Sequence, residues 1–254
     1  MKDKTIDLIM FMGQSNMAGR GDGRKAPAVE PGTAYEYRAV SAPDRLFPLS
    51  EPFGVLENDE TGVYEPGMKT GSMVSAFVSA CYRQTGVPIV GVSCAKGGSS
   101  VTEWLPGTAY YGDVSRRMRR CERWLLSEGY EIRHRLMVWC QGCTDGDHGM
   151  GQAEYREHTR SFLKAFMKDC GLETCFLIQI GNHRDEPLLY VPMQQAQEEL
   201  AAQEERIVLV SRQFKTFAAR GLMKDEFHYL QEAYNLVGDE AGNNAGRWIR
   251  SRTI

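Results

Sequence analysis

The residues best placed to do chemistry are Gly13-Gln14-Ser15-Asn16-Met17, which stand where an apolar run over residues 6–12 stops. A serine at the end of a buried strand, beside a glycine and an amide side chain, is where a parallel α/β sheet presents a nucleophile. Its hydroxyl is a weak nucleophile at neutral pH and needs a base, usually an imidazole oriented by a carboxylate. Among the five histidines, His228 has Asp225 three residues before it. On a turn or a first helical turn, that spacing brings both side chains to one side, so that the carboxylate can reach one ring nitrogen while the other faces a serine. The same spacing also describes an N-capping aspartate beside a surface histidine.

Acyl transfer further needs donors aimed at a developing oxyanion. Two other strand ends offer them. Run 88–93 is followed by Cys94-Ala95-Lys96-Gly97-Gly98-Ser99-Ser100, where paired glycines let a backbone N–H approach a ligand closely. Run 136–140 is followed by Gln141-Gly142, whose side-chain amide is a second possible donor. A glycine after a strand is usually only a turn, so neither feature is specific alone.

The elements that must position these residues are five short runs rich in branched side chains: 6–12, 88–93, 136–140, 175–180 and 207–211. Each is apolar throughout, as in a sheet covered on both faces. Between them lie helical repeats: Met73, Phe77 and Cys81 before Gly86; Val114, Met118, Cys121 and Leu125 before Gly129; Tyr155, Thr159, Phe162 and Phe166 before Gly171. Met193, Ala196 and Leu200 form a weaker repeat, and Tyr234, Val237, Ala241, Ala245 and Trp248 a last one. Strand alternating with helix predicts an α/β fold, a three-layer α/β/α sandwich around a parallel sheet of about five strands, with its site at the strands' carboxyl ends. Residues 19–66 carry glycine, proline and acidic residues without sustained periodicity, so a long functional loop over that end is expected. With no repeat or linker, residues 1–254 read as one domain.

Composition narrows the partners. A net charge of -3 gives no basic field for nucleic acid or anionic lipid, and a small uncharged or mildly polar substrate fits better. The start, Met1-Lys2-Asp3-Lys4, and the run behind it, interrupted by Asp7, read as neither a secretory signal nor a membrane span. Seven cysteines, mostly inside apolar segments, read as reduced thiols, so a cytoplasmic location is expected.

Taken in order, Gly13-Gln14-Ser15-Asn16-Met17-Ala18-Gly19, Gly97-Gly98-Ser99-Ser100 through Trp104, Trp139-Cys140-Gln141-Gly142 and Asp225-x-x-His228 resemble the sialate O-acetylesterase and acetylxylan esterase group of SGNH hydrolases. The resemblance covers most of the chain. It implies hydrolysis of acetyl esters on carbohydrates, by a serine esterase without metal or other cofactor. By motif position Ser15 is the nucleophile, His228 the general base and Asp225 its orienting acid. The oxyanion hole would be the Ser15 N–H, the Gly98 N–H and the Gln141 side chain, or Gly97 if the turn is offset by one. Gln14, Trp104 and Cys143 are candidate substrate contacts, Trp104 as a sugar-stacking platform or else core. The family often carries a glutamate directly after Gln-Gly, where this chain has Cys143. A neutral thiol cannot orient an imidazolium, so the acid's role rests on Asp225. The other readings are an esterase for a different short-chain acyl ester or lipid, and a carbohydrate-binding relative without turnover.

Several motifs point elsewhere only weakly. Cys140-Gln141-Gly142-Cys143 has redox or zinc spacing, but Cys140 lies in a strand and Cys170 and Cys175 are wrongly spaced to complete a site. Gly19-Arg20-Gly21-Asp22-Gly23 is not placed like a dinucleotide-binding loop, which begins at the strand end and opens a helix. Asp145, Asp147 and His148 could hold a divalent ion but read better as a solvated turn. His183 lies after the fourth strand, either as a substrate contact or in a polar loop. The run Arg116, Arg117, Arg119 and Arg120 reads as a solvated helix face.

Overall fold

The computed structural model describes residues 4–252, so Met1-Lys2-Asp3 of the charged start lie outside the described residues. The chain runs β1 (Thr5–Gly13), α1 (Ser15–Ala18), β2 (Ala34–Tyr37), β3 (Leu46–Pro48), α2 (Val74–Thr85), β4 (Ile89–Ala95), α3 (Ala109–Ser127), β5 (Glu131–Cys140) and α4 (Cys143–Asp147). It continues through α5 (Gln152–Asp169), β6 (Thr174–Ile178), α6 (Val191–Gln203), β7 (Ile207–Ser211) and α7 (Gln231–Arg252). The strands form one sheet in the order β3-β2-β4-β1-β5-β6-β7.

That makes seven strands, against the five expected, and the sheet is mostly but not wholly parallel: β3 runs antiparallel to β2 at the edge. Both extra strands lie inside the segment read as loop. They are four and three residues long and include polar Glu36, so neither length nor apolarity marks them; pairing of β2 with β4 makes them strands. β5 also begins earlier than its apolar half, because buried Asp7 of β1 pairs with Arg133 at 2.5 Å.

Period-two alternation in β1 explains the layers. Ile9 and Phe11 enter one core with Phe77 and Val78 of α2 and Val237 and Ala241 of α7. Leu8, Met10 and Met12 enter the other with Val114 and Met118 of α3 and Phe162 and Phe166 of α5. The seam between α2 and α7 depends on small residues. A Cβ at Gly238 would lie 2.3 Å from Met73 O, and one at Gly242 2.2 Å from Phe77 O. This close approach fixes the start of α7, and with it the turn that carries His228. Among the described residues no helix is long and apolar enough to cross a membrane.

Candidate active site

β1 ends at Gly13 with φ +136°, where a Cβ would sit 2.1 Å from Cys140 O. Only glycine lets β1 leave the sheet this close to β5. Gln14 N–H then donates to Cys140 O at 3.0 Å, and Ser15 opens α1, leaving its N–H without an acceptor inside the helix. The next residue clasps the far end of the chain: Asn16 Nδ2 donates to Phe227 O at 3.0 Å, and its Oδ1 accepts from Tyr234 O–H at 2.7 Å.

This clasp brings the sequence-distant groups together. His228 Nε2 lies 3.0 Å from Ser15 Oγ, and His228 Nδ1 lies 2.9 Å from Asp225 Oδ2. The two readings of Asp-x-x-His prove compatible, because Asp225 Oδ1 meanwhile accepts from the N–H groups of Phe227 and His228, as a turn-capping aspartate does. Partial burial pushes the Asp225 carboxyl upward, but hydrogen bonds from the imidazole and these two N–H groups outweigh it and hold it below its ordinary value. Burial lowers the pKa of His228; Asp225 opposes this, while Arg20 and Lys224 add repulsion. At neutral pH the ring is therefore uncharged and able to accept a proton.

Of the expected oxyanion donors, Gly98 lines the same cavity as Ser15. The offset alternative is occupied, since Gly97 N–H donates to Glu65 Oε1 at 3.0 Å. Gln141 is not brought to the cavity. It is fully buried, and its Nε2 donates to Ser99 O at 3.0 Å and to the Asp145 carboxylate. That side chain braces the 97–100 turn and does not face a substrate. The amide that does line the cavity is Gln14. Its Oε1 is held by Gly142 N–H at 2.8 Å and Cys143 N–H at 2.9 Å, which leaves Nε2 without a protein acceptor among the described residues. Gln14 was expected as a substrate contact; its position beside Ser15 makes it a candidate third donor.

Trp104 is core and not a platform. It is fully buried, packs edge-on against Trp139 and donates from Nε1 to Ser99 Oγ at 3.0 Å. Cys143 does line the cavity, where burial first, then Cys140 and the neighbouring acids Asp147 and Asp145, raise its thiol well above the ordinary range, so it is neutral. All seven cysteines are free and buried. The 145–148 acids go separate ways: Asp145 is buried and accepts from Ser100 O–H at 2.6 Å and Val101 N–H at 3.0 Å, while Asp147 accepts from Tyr190 O–H at 2.6 Å. This corrects the reading of a solvated turn, because Asp145 is a buried tie between two strand-end loops. Among the described residues no His, Cys, Asp and Glu cluster could hold a metal ion. His183 lies outside the cavity wall, its Nδ1 accepting from Glu186 N–H at 3.0 Å. The arginine run divides: Arg116, Arg119 and Arg120 are exposed, whereas Arg117 is buried, donating to Asp113, to Glu57 O at 3.2 Å and to Ser93 O at 3.0 Å.

The cavity holds about 620 Å³ and has a second wall made of Arg20, Tyr64, Glu65, Pro66 and Met68; a functional loop over this end was expected at 19–66, but these side chains were not singled out as site residues. Arg20 directly follows the Ser15 motif and was weighed only as part of a glycine-rich loop. The others sit in an aperiodic loop and carry no local signal.

The family model described as "Carbohydrate esterase, sialic acid-specific acetylesterase" matches residues 5–245. No curated protein matches. Among solved structures, a protein of Arabidopsis thaliana is 22% identical with a TM-score of 0.70, over 97% of this chain and 98% of that one. A carbohydrate acetylesterase of Xanthomonas citri is 13% identical with a TM-score of 0.62, over 98% of this chain and 57% of that one. A variant of an acetyl-xylooligosaccharide esterase from Geobacillus is 14% identical with a TM-score of 0.52, over 100% and 97%. At these identities the structures speak for the fold, and it is the match along nearly the whole chain that places this protein, a carboxylic ester hydrolase, in the carbohydrate esterase family of sialic acid-specific acetylesterases.

Proposed function

We propose that the protein is a serine esterase that removes O-acetyl groups from small carbohydrates, acetylated sialic acids or xylo-oligosaccharides, through an acetyl-serine intermediate. The observation that carries the reading is the continuous relay from Asp225 through His228 to Ser15, at 2.9 and 3.0 Å, opening on the cavity. Ser15 Oγ attacks the acetyl carbonyl carbon while His228 Nε2 takes its proton. The charge arising on the carbonyl oxygen is met by Ser15 N–H, Gly98 N–H and Gln14 Nε2. Collapse breaks the bond to the sugar oxygen, which leaves with the proton from His228. Water then gives a proton to the same imidazole and attacks the acetyl carbon, releasing acetate and restoring Ser15. Asp225 keeps the ring oriented and stabilises the transient imidazolium. The whole chain acts as one domain, and its buried free thiols suit a reducing, cytoplasmic setting.

The test is acetate release from acetylated sugars by wild type and Ser15→Ala, with fluorophosphonate labelling of Ser15. Activity lost in the variant, with Ser15 labelled in wild type, is expected. Unchanged acetate release by the variant would overturn the assignment.

A further inference from the structure

The second wall of the cavity inverts the usual order of burial. Along residues 63–69 the charged Glu65 and Lys69 are buried, while Tyr64 is 43% and Met68 52% exposed. Folding alone favours the opposite arrangement, since burying a charge costs far more than burying a phenol ring or a thioether. Nor is the segment loose. Val63 N–H donates to Asp113 Oδ2 at 2.9 Å, Glu65 N–H to Asn58 Oδ1 at 2.8 Å, and Arg20 Nη1 to Met68 O at 2.9 Å. Arg20 also pairs with Glu65, which in turn accepts from Gly97 N–H, so the wall is keyed directly to the turn that carries Gly98. The Tyr64 side chain has no hydrogen bond or ring partner among the described residues, yet it lines the same cavity as Ser15 and His228. Beside it, Glu65 Oε2 is buried without a donor, while the other oxygen of that carboxylate holds Arg20 and Gly97 N–H.

Resting on the esterase reading above, we infer that Tyr64 and Met68 form the subsite for the alcohol half of the ester, and that its occupant is a sugar ring. The Tyr64 ring and the Met68 thioether cover the apolar C–H face of the pyranose, and its hydroxyls meet the polar side chains that line the same cavity, Lys96, Thr144, Asp147 and His148. A lipid alcohol would satisfy the first contact and leave those polar groups without a partner. A sugar satisfies both. Tyr64 is thus a specificity-determining residue that contacts the leaving group and takes no part in bond cleavage.

The test compares kcat/KM for an O-acetylated monosaccharide with that for ethyl acetate, whose alcohol is too small to reach the rim. In Tyr64→Ala the sugar-to-ethyl ratio should fall about tenfold, through KM of the sugar ester. Tyr64→Phe, which keeps the ring, should hold the ratio within about twofold of wild type. An unchanged ratio in Tyr64→Ala would overturn the subsite, as would an equal loss in both variants, which would make the hydroxyl and not the ring the contact. Failure of the esterase reading is distinguishable: wild type would then release no acetate from either ester.

Discussion

The two walls of the cavity are built by different physics. One consists of strand ends: Ser15 after β1, Gly98 after β4, and Gln14 pinned by the N–H groups that follow β5. Its geometry follows from the sheet ladder and from glycines at points of close approach, so its parts cannot drift relative to one another. The other is a loop wall held by buried charges, Arg20 with Glu65 and Arg117 with Asp113, reaching β4 through Arg117 and Ser93 O. On the proposed mechanism, the backbone-built wall holds the groups that meet the reacting atoms, and the wall built from side chains holds those that meet the rest of the substrate. The two are coupled where Glu65 holds Gly97 N–H, so only the outward side chains such as Tyr64 and Met68 are free to vary without disturbing the first wall.

Breaking the strand-end wall should cost turnover. Asp225→Asn should lower kcat about 10⁴-fold, since the ring loses both its correct tautomer and its counter-charge, measured as acetate release under saturating substrate. Gln14→Leu should lower kcat about 10²-fold with KM nearly unchanged. Gln141→Leu provides the contrast, with a larger loss of melting temperature than Gln14→Leu and a smaller loss of kcat per folded molecule. Equal kcat losses would erase the distinction drawn between the two amides. Breaking the loop wall should instead cost stability. Arg117→Met leaves Asp113 as an uncompensated buried charge and should lower the unfolding free energy by about 3–5 kcal/mol, read by urea denaturation. The smallest effect concerns pH. Because burial lowers the pKa of His228, the base form persists into mild acid, and the acid limb of kcat/KM should have its midpoint below 6.5. Removing repulsion with Lys224→Met stabilises the imidazolium and should move that midpoint up.

Legibility in the sequence follows the same division. The strand-end wall was readable because strand, turn and nucleophile are adjacent in the chain, and because Asp225 and His228 are a local pair. Ser15, His228 and Asp225 were accordingly named before any geometry. Gln141 was misplaced: an amide after a strand looks the same whether it faces a ligand or, as here, a buried carboxylate four residues on. Trp104 went the same way, its indole filled by Trp139 and Phe162 from distant elements. Of the loop wall only its presence over this end was readable; its ordered contacts were not, because they come from pairings such as Arg20 with Glu65, 45 residues apart, and not from periodicity. Strands β2 and β3 hid for the same reason, being strands only because β4 is there to receive them.

The bond between Ser15 and His228 joins residues 213 apart in the chain, and the Asn16 clasp to Phe227 joins residues 211 apart. During synthesis Ser15 leaves the ribosome well before His228, and the two meet only after the residues between them have followed. On the proposed mechanism, a nascent chain arrested before Asp225 carries an inert serine, and a protease nick that frees the 225–228 turn separates His228 from Ser15 without touching either residue. On the proposed function, hydrolysis is thereby tied to a contact that closes a loop of more than two hundred residues.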